Sequence, residues 1–183
     1  MTKAWMMCLV WLLLPMLVSM KALAEPWVLV DTKSMTLKVM EGDKLLDTFE
    51  DIAIGRNGAG IKLERGDNTT PLGVFRVGWI SEKSRFGIFI GLDYPNRDYA
   101  ELAYREKRID IIDYYFIRRA LEKGYTPPQD TPLGGFIGIH GIGEGDSQVH
   151  ANFNWTNGCV AVDNQQIHRL AQWVQLGTRV EIR

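Results

Sequence analysis

Cysteine and histidine are scarce in this chain: two cysteines, Cys8 and Cys159, and three histidines, His140, His150 and His168, in 183 residues. One cysteine lies in an N-terminal apolar run, so the disulfide framework of a small secreted scaffold is excluded. The histidines carry no HExxH pattern and no CxxC pair accompanies them, so no common zinc spacing exists and no metal is expected. Charge of either sign is not in excess: 21 basic residues face 22 acidic ones. No basic stripe with interleaved aromatics is present, which argues against nucleic acid as a partner. The Gly-rich segment GIGEGD (Gly141 to Asp146) lacks the Lys-Ser/Thr of a nucleotide loop and the spaced carboxylates of a calcium loop. No cofactor is implied.

A long apolar run occurs once, from Ala4 to Val18, after Lys3 and before the small-residue site Ala22-Leu23-Ala24. Pro15 interrupts it short of the roughly 18 residues a spanning helix needs, so residues 1–24 read as a cleavable secretory signal peptide. Cleavage would remove Cys8, Lys3 and Lys21, leaving 19 basic against 22 acidic residues, a net charge near −3. Residues 25–183 fit one domain, exported, with no stable membrane span and a single thiol that has no partner. A leftover cysteine in an exported protein is an intermolecular link, a reactive thiol or a buried small hydrophobe.

The first third of that domain reads as β. PWVLVDT (26–32), MTLKVM (35–40) and KLLDTFEDIAIG (44–55) are short aliphatic or alternating runs, with Glu41-Gly42-Asp43 as a turn, so an antiparallel meander is expected. The polar segment 56–71 reads as a loop, and strands resume at 72–80 and 86–94. From Asp98 to Lys123 the period becomes helical. Asp98 with Glu101 resembles a capping box, and Gly124 with Pro127-Pro128 supplies the stop. Ile112, Tyr115, Phe116, Arg119 and Ala120 share one face, so one kinked or two consecutive helices should pack that stripe on the sheet, with a lid over a groove as the alternative. GGFIGIHG (134–141) reads as a strand and 142–155 as a loop. Cys159 to Val162 leads into a helix opened by Asp163 and Gln166, carrying Ile167, Leu170, Ala171 and Val174 and stopping at Gly177. TRVEIR closes the chain as a strand. TPLG at Thr70 and again at Thr131 is no repeat.

A free thiol near pKa 8.5 is only about 3% thiolate at pH 7, so Cys159 needs activation to act. His140 ends the apolar strand FIGIH and precedes Gly141, which suits a rigidly held base. His150 would need its loop ordered, and His168 suits a surface. Gly158 permits tight curvature, so backbone N–H groups beside it can turn toward a developing oxyanion.

These residues resemble the L,D-transpeptidases of bacterial cell walls, the YkuD-type catalytic domain, whose signature is a His, about fifteen residues, then Ser/Thr-x-Gly-Cys. Here residues 141–155 separate His140 from TNGC, Thr156 to Cys159. NTTPLGVFRV is similar to the family's Thr-Pro-x-Gly-x-Phe strand, and the YPN at Tyr94 to Asn96 to a segment of a Gram-negative branch. The resemblance implies a mainly β, α+β fold: a β-sandwich-like antiparallel domain around the cysteine, with a helical insertion at about 96–124. It implies Cys159 as nucleophile, His140 as base oriented by the Gly141 carbonyl, and backbone N–H groups of Asn157, Gly158 and Cys159 as oxyanion hole. The implied substrate is a peptidoglycan tetrapeptide stem in the periplasm, cleaved between diaminopimelate and D-alanine and transferred to an amine. A wall-anchored lipoprotein is a further implied partner. Two positions depart from the pattern: Asn157 stands where many members have His, and Ala161 where they have Arg. Without that Arg, a substrate carboxylate would fall to Arg65, Arg85 or Arg97, with Thr156 also at the site. Hydrolysis of the same acyl-enzyme, by a carboxypeptidase or amidase, and a non-catalytic wall-binding module are the competing readings.

Overall fold

The computed structural model describes residues 24–183, so the signal-peptide expectation lies outside the described residues. β1 (Pro26–Asp31), β2 (Thr36–Glu41) and β3 (Lys44–Phe49) form the expected antiparallel meander. Alternation drives it: Leu37 and Val39 of β2 are fully buried while Thr36 and Lys38 face outward. Gly42, at φ +57°, makes the turn between β2 and β3. β3 ends at Phe49, six residues short of the expected run. Asp51 takes a left-handed conformation there, and the chain beyond it continues only as single bridges, Ala53 to Ala161 and Gly55 to Thr156.

The polar segment after Gly55 holds β4 (Ala59–Gly60) and β5 (Thr70–Pro71), a short parallel pair. β6 (Gly73–Ser84) is long enough to serve two neighbours. Its first residues pair with β10 (Arg179–Ile182) and the rest with β7 (Gly87–Leu92), with a register shift between Val77 and Trp79. With β8 (Gly138–His140) and β9 (Val160–Ala161), eight strands share one sheet in the order β3-β2-β1-β10-β6-β7-β8-β9. The sheet is mixed where an antiparallel one was expected, because β1 pairs with β10 and β8 with β9 in parallel. The result is a mixed α/β fold with a β-sheet core and a helical insertion.

The insertion is two helices, α1 (Arg97–Arg105) and α2 (Ile111–Glu122). Asn96 caps α1, its side chain accepting from Tyr99 N at 3.1 Å, so the cap lies two residues before the expected Asp98. α1 buries Tyr99, Ala100 and Ala103. The expected stripe of α2 is on the wrong face: Ile112, Tyr115 and Phe116 are 61%, 55% and 54% exposed, whereas Ile117 is 0%. The reason is what α2 packs on. It docks through Tyr114, Ile117 and Leu121, with Tyr114 stacked on Tyr104 of α1 at 4.6 Å, and needs only that narrow face.

The segment expected as a loop after His140 includes α3 (Ser147–Asn152), capped by Asp146. α4 (Asn164–Leu170) opens with the expected capping box of Asp163 and Gln166 and buries Ile167 and Leu170. It ends at Leu170, well before Gly177, whose φ of +86° turns the chain into β10. Among the described residues no helix is long and apolar enough to cross a membrane.

Candidate active site

Strand register sets the site. His140 on β8 lies opposite Phe89 on β7 and Ala161 on β9, and Cys159 is the residue just before β9. In-register parallel partners share a face and side chains alternate, so Cys159 and His140 project to the same side, diagonal neighbours on adjacent strands. Both line one cavity of about 460 Å³, walled by Phe86, Phe89, Phe136 and Trp155.

His140 is held from three sides. Its Nδ1 lies 2.7 Å from the Gly141 carbonyl, which accepts only if Nδ1 carries the proton, so Nε2 is left as the basic atom. Phe86 stacks on the ring at 4.1 Å, and Trp155 stands edge-on at 5.7 Å. Gly141 must lack a side chain, since a Cβ there would lie 2.8 Å from the Phe86 carbonyl and 2.7 Å from Asn164 Oδ1. Burial drives the imidazole pKa down to about 4; the Gly141 bond opposes this, and the charges of Arg85 and His150 add to it.

Cys159 is half-buried, and its thiol donates to the Phe136 carbonyl at 3.3 Å. Burial pushes its pKa up to about 11 against the pull of the Gly138 N–H and the Lys62 charge. The resting pair is therefore a neutral thiol beside a neutral imidazole, and a preformed ion pair is disfavoured. Phe136, which accepts the thiol proton, has φ +54°. That is a costly conformation for a residue with a side chain, and it is held by the Phe136 N–H donating to Gln129 Oε1 at 2.6 Å.

The turn before Cys159 is braced by Thr156. Its hydroxyl accepts from Gly158 N at 3.1 Å and donates to the Cys159 carbonyl at 2.7 Å. The Gly158 N–H is thereby committed, while no protein acceptor takes the N–H of Asn157 or Cys159 among the described residues. Gly158 sits at φ +129°, and a Cβ would come 2.8 Å from the Thr69 carbonyl.

The arginines separate. Arg85 lines the cavity with its guanidinium over Phe86 at 4.6 Å. Arg65 lines an adjoining cavity that shares Gly135, Phe136, Ile137 and Asn157 with the first. Arg97 is exposed on the first turn of α1 and lines neither. His168 is exposed. His150 is buried in α3, where its Nδ1 accepts from Trp155 Nε1 at 3.3 Å, so it acts on the ring that abuts His140. Sequence reasoning missed Arg56, which donates to Asn157 Oδ1 and to Asn68 Oδ1. It also missed Lys62, 2% exposed and ion-paired with Asp67. The available signal was a lysine beside apolar residues in KLERGDNTTP, a pattern that equally fits a solvated loop. No group of three or more potential ligand side chains gathers for a metal among the described residues.

The fold is similar to that of solved proteins. The helical cell shape determining protein Pgp2 from Campylobacter jejuni is 22% identical, with 87% of this chain covering 47% of that one at a TM-score of 0.57. Bd1075 from Bdellovibrio bacteriovorus is 20% identical, with 90% covering 50% at 0.53. Both organisms are Gram-negative. At these identities the likeness is one of fold, and the chain spans about half the length of these solved proteins. No curated protein matches. The model of the YkuD family, the L,D-transpeptidase catalytic domain, matches residues 25–182, so this chain belongs to that family of cysteine-dependent, transpeptidase-like enzymes.

Proposed function

We propose that the chain is a periplasmic peptidoglycan L,D-transpeptidase with Cys159 as nucleophile and His140 as general base. The observation that carries this is the shared cavity: His140, its Nδ1 bound to the Gly141 carbonyl and Nε2 left basic, faces the same groove as Cys159. The sheet is tied from β9 to the chain beyond β3 through Ala53 and Ala161. It would curl in a sandwich-like way around that groove.

In the reaction, the Cys159 sulfur attacks the carbonyl linking diaminopimelate to D-alanine while Nε2 of His140 takes the thiol proton. The oxyanion is received by the free N–H groups of Asn157 and Cys159, with Gly158 keeping the turn open. Collapse breaks the C–N bond, the D-alanine nitrogen takes the proton from His140, and a thioester remains. An acceptor amine, from a second diaminopimelate or a lysine of a wall-anchored lipoprotein, then attacks the thioester carbonyl and gives a proton to Nε2 of His140; the C–S bond breaks and the sulfur takes that proton back, restoring the thiol. Because thiol and imidazole both rest neutral, the base works at the moment of attack, after the thiol turns from the Phe136 carbonyl.

Purified protein incubated with disaccharide tetrapeptide tests this by mass. Cross-linked dimer supports transfer and tripeptide alone supports hydrolysis. A carbapenem adduct that survives Cys159→Ala would remove Cys159 as nucleophile.

A further inference from the structure

Trp155 stands between two open spaces. With Arg85 and Phe86 it lines both the groove of Cys159 and a second cavity of about 410 Å³. The backbone on either side of it is pinned: Asn154 Oδ1 accepts from Ile54 N at 3.1 Å, and Thr156 N donates to the Ile54 carbonyl at 3.1 Å. The orientation of the indole is therefore left to side-chain contacts. Its hydrogen bond runs from Nε1 to Nδ1 of His150 at 3.3 Å.

An indole N–H can only donate, so Nδ1 of His150 must present a lone pair, and the neutral ring carries its proton on Nε2. That Nε2 is buried and has no hydrogen-bond partner among the described residues. A proton added to Nδ1 would set two N–H donors against each other, so the imidazolium cannot keep the Trp155 bond. Burial holds the His150 pKa below its ordinary 6.5, while the carboxylates of Asp163, at the head of α4, and Asp51, after β3, pull the other way with an Asp51 backbone group. The other charged or titratable groups here are Asp146, whose carbonyl accepts from His150 N at 3.0 Å, Arg85 over Phe86, and His140 beyond the indole.

His140 is gripped on its faces and at one edge. Phe86 and Phe89 stack on it at 4.1 and 5.8 Å, within 21° and 11° of parallel, and the Gly141 carbonyl takes Nδ1. Parallel faces resist tilting and permit sliding. The indole, at 67° to the imidazole and 5.7 Å from it, obstructs the slide. Resting on the proposed function, we infer that His150 is a positioning residue of the reaction: its unprotonated Nδ1 locks the Trp155 indole against His140 and so keeps Nε2 of His140 within reach of the Cys159 thiol, and a proton on Nδ1 opens that lock. The released indole has the second cavity to swing into.

Two readouts on the intact protein test this. The first is the indole N–H resonance of Trp155 by NMR, assigned by its loss in Trp155→Phe, which should shift with the same midpoint as the His150 ring as pH falls from 8 to 4. The second is the first-order rate constant for acylation of Cys159 at saturating carbapenem, read by intact mass. At pH 8, His150→Ala should lower it about 10- to 100-fold, the cost of a displaced base, while His150→Asn, whose Oδ1 stands where Nδ1 stood, should stay within about threefold. In acid, the unmodified protein should lose rate with the His150 midpoint, and His150→Asn should hold its rate down to the His140 ionisation near 4. Charge coupling alone predicts the opposite sign, because removing the His150 charge raises the His140 pKa and brings the acid loss to higher pH. A Trp155 resonance that stays still while His150 titrates, a His150→Ala protein as fast as the unmodified one at pH 8, or an acid limb that His150→Asn leaves in place or moves upward overturns the inference. Absence of any adduct on Cys159 in the unmodified protein sinks the proposed function instead, and the resonance then still decides whether His150 controls the indole.

Discussion

The protonation state of His140 decides how the thiol is activated, and pH is the perturbation that exposes it. Burial takes the imidazole from an ordinary 6.5 down to about 4. Holding it there favours the neutral form by about 3 kcal/mol relative to the unfolded chain. Above pH 6.5 the ring is neutral in both states and stability is intact. Between 6.5 and about 4 the unfolded chain takes up the proton first, so stability falls, by about 2 kcal/mol at pH 5 and about 3 kcal/mol once both states are protonated. His150 is also shifted down and the carboxylates titrate nearby, so the comparison is with His140→Gln, which lacks this ionisation while the others remain. Urea unfolding of both proteins from pH 4 to 8 should give a difference that shrinks toward acid by that amount. The same state governs reactivity. With thiol and imidazole neutral, alkylation of Cys159 by iodoacetamide should keep climbing with pH toward 11 and show no plateau near neutrality. An NMR titration placing the His140 pKa at or above 6.5, or alkylation already maximal at pH 6, would refute the neutral pair and make an ion pair the resting form.

Gly158→Ala should abolish acylation and lower the melting temperature, because a Cβ at φ +129° meets the Thr69 carbonyl; full activity with an unchanged melting curve would contradict that packing. Thr156→Val should cost about 1–3 kcal/mol by orphaning the Gly158 N–H, with Thr156→Ser restoring most of it, as measured by urea denaturation. In α2, Ile117→Ala should cost about 2–5 kcal/mol, while Phe116→Ser changes stability by less than about 0.5 kcal/mol, the reverse of what the hydrophobic stripe alone implies.

The α2 outcome shows what periodicity can and cannot fix. The helices themselves were legible from spacing, from Gly124 and from the capping box at Asp163, since those are local effects that the backbone satisfies within a few residues. Which face turns inward is not local. α2 carries apolar residues on two faces, Ile112 with Phe116 and Tyr114 with Ile117, and contacts made at long range select between them: the core that takes Ile117 and Leu121, and Tyr104 of α1, on which Tyr114 stacks. The short ends of β3 and α4 have a similar origin: Asp51 adopts a left-handed conformation, and the chain leaves α4 at Ala171 although the apolar spacing runs on to Val174.

For the site, the cysteine and histidine proposed as nucleophile and base stood out because they are scarce types at a characteristic spacing, whereas the groups around them are common types whose place comes from long-range contact. Lys62 is a case in point. Nothing in KLERGD marks its ammonium as buried. Asp67 gathers it along with the N–H groups of Leu63 at 2.7 Å and Thr69 at 3.0 Å, folding a polar loop inward against the cysteine. A buried lysine is stable only if such a partner is supplied, and here the partner is five residues away in the same loop. The loop therefore carries its own counter-charge. Its cation can lie close enough to oppose the burial that raises the thiol pKa without leaving an unpaired charge in the interior. Removing Asp67 should for that reason be more damaging than removing Lys62: the first leaves a buried cation and three backbone N–H groups without their acceptor, the second only a carboxylate that keeps its backbone donors.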